Sequence, residues 1–171
     1  STAQSKSEAV DVLTVTAEEE DEEELRVYDE NDQLALVLDD TNKAQWARDL
    51  EAMGYKIEYA RSPEQAVHKM KFTQYHVVVL HENFGGVSLG DSPIYQSLRD
   101  MPMSGRRKIF LALVGRNFKS AHNMKAFKQS ANLVINEKDM GKVPLILKKT
   151  ISEHQAFYKI FKETLHTLGK V

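Results

Sequence analysis

The chain has no cysteine, only four prolines and a single tryptophan among its 171 residues. Without thiols, a disulfide framework, thiolate catalysis, iron–sulfur clusters and cysteine-bound zinc are all excluded. No apolar run approaches the roughly 20 residues that span a bilayer, and the acidic N-terminal stretch is not a secretory signal. A cytoplasmic protein is expected. Its first residue is Ser1 rather than Met, which suggests a piece of a longer chain. The six histidines include no His-Glu-x-x-His pair, so the common helical zinc-hydrolase pattern is missing too.

What is present is unevenly charged. The formal net charge is only −2. Residues 1–33 nevertheless hold twelve acids against Lys6 and Arg26, leaving thirteen acids and twenty-one bases for the rest. Residues 18–24 are an unbroken acidic run, and like charges so close repel one another. Residues 1–24 are therefore expected to be a disordered acidic linker. Val10, Val12, Leu13 and Val15 are a short apolar patch within it, open to docking as a motif.

From Gln33 the pattern becomes strands alternating with amphipathic helices. Residues 34–38 form a continuous apolar run, as in a strand covered on both faces. Further strands are expected at 55–60, 77–80, 109–114 and 133–135. Helical spacing follows at Ala44, Ala47, Leu50 and Met53, with Gly54 placed to end that helix. Trp46 is expected to pack at an edge of it. Ser62-Pro63 and Ser92-Pro93 each supply a cap followed by an N1 proline. A fourth helix is expected over 124–130 and a long one over 142–168. Five strand–helix units joined by short connections predict a parallel sheet with helices on both faces. In such sheets the functional crevice lies beyond the carboxyl ends of the strands. Here those ends are Asp39-Asp40, His81-Glu82-Asn83, Val114-Gly115 and Asn136-Glu137.

Leu36-Val37-Leu38-Asp39-Asp40, followed by helix, strand, helix and Val77-Val78-Val79-Leu80-His81, resembles the receiver domain of bacterial response regulators. The resemblance implies a flavodoxin-like, doubly wound five-stranded sheet of order 2-1-3-4-5, extended here by the C-terminal helix. It further implies a pocket in which an acidic pair helps hold Mg²⁺ and an aspartate ending strand three accepts a phosphoryl group. A Ser or Thr ending strand four and a Lys ending strand five then contact the phosphoryl oxygens. Carried over residue by residue, only Asp39 and Asp40 match. The acceptor falls on His81, the Ser/Thr on Val114, the Lys on Asn136, and the aromatic switch residue on Leu133. Lys138, two residues on, is the candidate replacement for the missing Lys.

Such a pocket is degenerate. Mg²⁺ prefers oxygen ligands, and an imidazole is softer than this cation favours. Val114 has no donor for a phosphoryl oxygen. His81 is expected to face Asp39 and Asp40 and to take the cation's place by charge pairing. A phosphohistidine at His81, or a Zn²⁺ or Mn²⁺ held by Asp39, Asp40 and His81, are the sharper alternatives. No cofactor, metal or catalytic activity is expected. Gly85, Gly86 and Gly90 lie in a loop without a phosphate-loop ending, which reads as a rim of the pocket.

Two surfaces remain. Arg99, Arg106, Arg107, Lys108, Arg116, Lys119, Lys125 and Lys128 form a basic stretch broken only by Asp100. It suits an acidic protein, the chain's own tail or, less well, nucleic acid, because no stacking aromatics accompany it. The second is a seven-residue repeat, Leu147, Ile151, His154, Tyr158, Phe161, Leu165 and Leu168, widened by Phe157 and Ile160. A receiver-like domain over 25–150 needs only the first half of this helix. The extension, 151–171, is expected to pair with a second copy or another protein. The expected function is a phosphorylation-independent pseudo-receiver that docks proteins or dimerises in two-component signal transduction. A response regulator still phosphorylated in its pocket and a nucleic-acid-binding adaptor are the alternatives.

Overall fold

In the computed structural model, residues 28–116 and 130–169 are described. The chain divides into two compact units, Ser1–Asp32 and Gln33–Val171. Of the first, residues 28–32 are described and contain a turn, in which the Asp32 amide donates to the Asp29 carbonyl at 3.0 Å. The predicted linker over 1–24 and the predicted helix over 124–130 lie outside the described residues, apart from Ser130.

The second unit is a five-stranded parallel sheet. Its strands are β1 (Gln33–Leu38), β2 (Tyr55–Tyr59), β3 (Val77–His81), β4 (Phe110–Gly115) and β5 (Leu133–Asn136), ordered β2-β1-β3-β4-β5. Helices α1 (Lys43–Ala52), α2 (Pro63–Phe72), α3 (Pro93–Asp100), the one-turn α4 (Met103–Arg106) and α5 (Val143–Thr167) connect and flank them. Sheet order and class are those expected. The one-turn α4 was not anticipated.

Local chemistry sets the helix starts. Ser62 Oγ accepts from the Gln65 amide at 3.1 Å while Gln65 Oε1 accepts from the Arg61 amide at 2.6 Å, a reciprocal cap ahead of Pro63. Ser92 Oγ accepts from the Tyr95 amide ahead of Pro93 in the same way. Gly54, at φ +92°, ends α1 in a conformation that side-chain-bearing residues rarely adopt.

Both sheet faces are covered. Ala35, Val37, Val77, Val79, Phe110, Ala112 and Val114 pack with Trp46 and Leu50 of α1 and with Val143, Leu147 and Ile151 of α5. The alternate residues Leu36, Leu38, Leu80, Leu111 and Leu113 are equally buried on the other face. Three strands have no exposed residue: β3 is buried except for half-buried His81, β4 is buried throughout, and β5 is half-buried around buried Ile135. Trp46 is fully buried, not at an edge. Among the described residues, no helix is long and apolar enough to cross a membrane.

Candidate functional site

The strand registers bring the predicted ends together. His81 lies opposite Val114, and Gly115 opposite Asn136. Beyond them a recess of about 460 Å³ opens between Asp40, Thr41, His81, Asn83, Arg116 and Glu137, rimmed by Gly85 and Gly86. The rim residues form two short 3-10 turns, Phe84–Gly86 and Leu89–Asp91.

The acidic pair is split. Asp39 is 1% exposed and turned inward. Its Oδ1 accepts from the amides of Thr41 and Asn42, each at 3.1 Å. Its Oδ2 accepts from Asn42 Nδ2 at 3.0 Å and from Trp46 Nε1 at 2.9 Å. Four donors saturate this carboxylate, and it joins strand to helix instead of facing the recess. Asp40 alone of the pair is exposed and lines the recess. Among the described residues, no three His, Asp or Glu side chains come together as a metal cluster.

His81 does not pair with Asp39 and Asp40. Its Nε2 meets Glu137 Oε1 at 2.5 Å, and its Nδ1 accepts from the Asn83 amide at 3.1 Å. An accepting Nδ1 keeps its lone pair, so the neutral ring carries its proton on Nε2 and donates it to Glu137. The expected pairing with Asp39 and Asp40 is thus replaced by a bridge from β3 to Glu137, the residue after β5. Both ring nitrogens are engaged in hydrogen bonds.

Glu137 was not among the predicted site residues, although the strand end containing it was. Its Oε2 accepts from Arg116 Nε at 2.5 Å, so one carboxylate ties the ends of β3, β4 and β5. Burial opposes its ionisation, but hydrogen bonds from Arg116 and His81, and their positive charge when protonated, hold its carboxyl below the usual range. Asn136 positions it: Asn136 Oδ1 caps the following 3-10 segment, Glu137–Lys142, by accepting from the Lys138 amide at 3.0 Å. Gln45 of α1 holds the far end of that segment by donating to the Met140 carbonyl at 2.5 Å. Glu82 adds a second carboxylate, whose Oε1 accepts from the Arg116 amide at 2.9 Å. It crosses directly over Gly115, where any Cβ would overlap its carboxyl carbon.

Val114 is fully buried and packs in the sheet core, so it contributes no group to the recess. Leu133 is half-buried against the same core. Lys138 contributes its amide to the Asn136 cap, and the recess lining does not include it.

Among the described residues, Arg116 stands apart from the rest of the basic stretch. Arg116 belongs to the recess, and exposed Arg99 lies against Asp100 at 3.3 Å. Arg106 is half-buried and donates to the Ile109 and Ser130 carbonyls at 2.6 and 2.8 Å. Arg107 stacks over the Phe161 ring at 4.2 Å, and Lys108 is exposed. Lys119, Lys125 and Lys128 lie outside the described residues.

The predicted helix seam is also used differently. Leu147 and Ile151 are buried in the domain's own core. His154 packs edge-on against Phe110 with ring centres 5.6 Å apart, and Tyr158 and Phe161 are half-buried along the same side. As far as Phe161 the seam folds back on its own domain. The large apolar groups left exposed beyond Ile151 are Phe157 and Ile160 on the flank of α5 and Leu168 at its C-cap.

Solved structures that resemble this fold include response regulator receiver domains. A CheY-like response regulator receiver domain from Methylobacillus flagellatus superimposes with a TM-score of 0.52 at 20% identity, covering 70% of this chain and 99% of that one. The fold is that of a receiver domain. A response regulator from Thermotoga maritima gives a TM-score of 0.54 at 16% identity, over 71% and 98% of the two chains. The chemotaxis response regulator CheY4 of Vibrio cholerae gives 0.55 at 13% identity, over 71% and 99%. No protein-family model matches the chain, and no curated protein matches it in sequence. What these structures share with the chain is the fold.

Proposed function

We propose that this receiver-fold domain is a pseudo-receiver, a phosphorylation-independent interaction module of cytoplasmic signalling with no catalytic role. One observation carries the reading: at the position where a receiver has its acceptor aspartate, His81 is bonded through Nε2 to Glu137 and through Nδ1 to the Asn83 amide. A phosphoryl group there would need a free nucleophile and a cation between carboxylates. Asp39 is saturated by four donors, and Glu137 already neutralises Arg116. With its pocket bridged, the domain's output is what its surface binds. The extended α5 is the surface in question, through a second copy along Phe157, Ile160 and Leu168 or through another protein.

The test is incubation of the intact chain with acetyl phosphate and Mg²⁺, read by intact mass. No phosphoryl adduct is expected, for the wild type or for Glu137→Gln. His81→Asp restores a carboxylate but not a Ser/Thr at Val114 or a Lys at Asn136, so even a labelled variant lacks the groups that read the phosphoryl group out. A stoichiometric adduct on the wild type would establish a phosphorylated regulator instead.

A further inference from the structure

The strands begin at the end of the sheet opposite the recess, and there the second half of α5 runs past Phe110, its neighbours set on either side. On one side lies a groove of about 440 Å³, walled by Leu98, Met103, Phe157 and Phe161 and carrying Arg99, Arg106 and Arg107. On the other lies a recess of about 560 Å³ that carries Lys108, Lys159 and Lys162. His154 and Tyr158 line both, so the helix is a ridge between two cationic hollows. Among the described residues, neither lining contains an Asp or a Glu.

This surface is cationic without local compensation over most of its area. The Arg106 guanidinium donates to neutral oxygens of Ile109, Ser130 and Asn132. Arg107 is held by an aromatic face, and among the described residues of this edge only Arg99 lies against a carboxylate, that of Asp100. Apolar anchors are open beside these charges, for Met103 is 60% and Phe157 66% exposed. Water-exposed aromatic and thioether groups among arginines are the composition of a protein-binding surface.

We propose that this strand-start edge docks an acidic protein segment that carries large apolar side chains between its carboxylates. Charge complementarity selects that occupant. A second copy would bring the same arginines and lysines, and like charges repel instead of complementing one another. For nucleic acid, the phosphates would be met, but among the described rings lining the two hollows only Phe157 is exposed, which makes no stacking set. The site lies away from the His81 recess, so the proposal extends the interaction role inferred above and names its partner class. Phosphoryl labelling reads the recess alone, and the binding experiment reads this edge alone, so the two readings fail separately.

The experiment is fluorescence anisotropy with the intact chain and a labelled synthetic peptide in which Leu and Phe at helical spacing alternate with Glu. At ionic strength below about 0.1 M, where charges act over about 10 Å, the peptide should bind with a Kd on the order of 10 µM. Replacing its Glu by Gln, or its Leu and Phe by Ala, should weaken binding about tenfold or more. Arg107→Gln, the pair Lys159→Gln with Lys162→Gln, and Phe157→Ala should each weaken it several-fold. All lie on or near the surface, and the set spans both hollows, so one unfolded variant does not decide the matter. Binding indifferent to every variant, or none up to about 1 mM, would overturn the proposal. A DNA oligonucleotide that binds more tightly than the peptide and displaces it would assign the edge to nucleic acid. Sedimentation showing a dimer dispersed by Phe157→Ala, and not by the peptide, would assign it to a second copy.

Discussion

The indole N–H of Trp46 donates to Oδ2 of Asp39 across 2.9 Å, inside the core and one turn into α1. That bond decides the fate of the acidic pair, because it draws the first carboxylate inward and leaves Asp40 alone at the recess. Trp46→Phe keeps an aromatic ring but leaves Asp39 one donor short. Removing one partner from a buried charged acceptor costs about 1–3 kcal/mol, to which the smaller ring adds a cavity. Urea unfolding should show a lower midpoint with an unchanged slope. A midpoint equal to the wild type's would mean that Asp39 does not depend on this bond.

Two glycines beside the recess should respond differently to alanine. Gly85 has φ +71°, and an added Cβ would sit 2.5 Å from the ring of Pro63, which cannot move aside. Gly85→Ala should lose about 1–3 kcal/mol. At Gly115 the obstacle is the flexible Glu82 side chain, which can swing away and release the Arg116 amide. Gly115→Ala should lose only about 1 kcal/mol, the worth of one hydrogen bond. Thermal unfolding of the two variants side by side checks the order.

Mild acid should loosen the strand-start edge. Burial holds the His154 imidazole below its ordinary value; a bond to the Arg107 backbone works against this, and the charge of Arg106 works with it. Burial likewise lowers His76, whose Nδ1 accepts from the Leu34 amide at 3.1 Å. The unfolded chain therefore takes up protons near pH 6.5 before the folded chain does. Stability should be full above that pH and fall as pH drops through it, until the folded imidazoles are themselves protonated. Chemical denaturation across pH 5 to 8 should show the decline, and His154→Gln should shallow it.

Glu137 predicts a second decline at lower pH. Its folded carboxyl lies below the unfolded value of about 4.3. The stabilisation it provides is complete above that value and is lost as pH falls through the folded one. Glu137→Gln should be less stable than the wild type at neutral pH, and the difference should close in acid. A constant difference across pH would mean that the ionised bridge contributes nothing.

Strand positions and strand ends were legible because a sheet covered on both faces shows as continuous apolar runs, and Ser-Pro pairs mark helix starts; the strand order came from the resemblance to receivers. The bonds within the recess were not. Glu137 follows β5 as one more acid in a polar loop, and nothing near it records that His81, fifty-six residues earlier, lies at 2.5 Å. Trp46 sits one position off the stripe of Ala44 and Ala47, so its spacing pointed to an edge. Its hydrogen bond to Asp39 accounts for its burial. In α5 the repeat was legible, but a repeat does not say what fills it. Here the domain's own Phe110 and Arg107 meet His154 and Phe161. Lys159 and Lys162 joined Lys108 only through the fold.

The central claim is that the recess below Asp40 is bridged and cannot be activated as a receiver pocket. Amide NMR spectra of the intact chain, recorded with Mg²⁺ before and after addition of beryllofluoride, test it most directly. The account predicts unchanged resonances at Asp40, His81, Asn83, Gly115 and Glu137. Saturable, Mg²⁺-dependent shifts at those residues, spreading to Leu133, would contradict it.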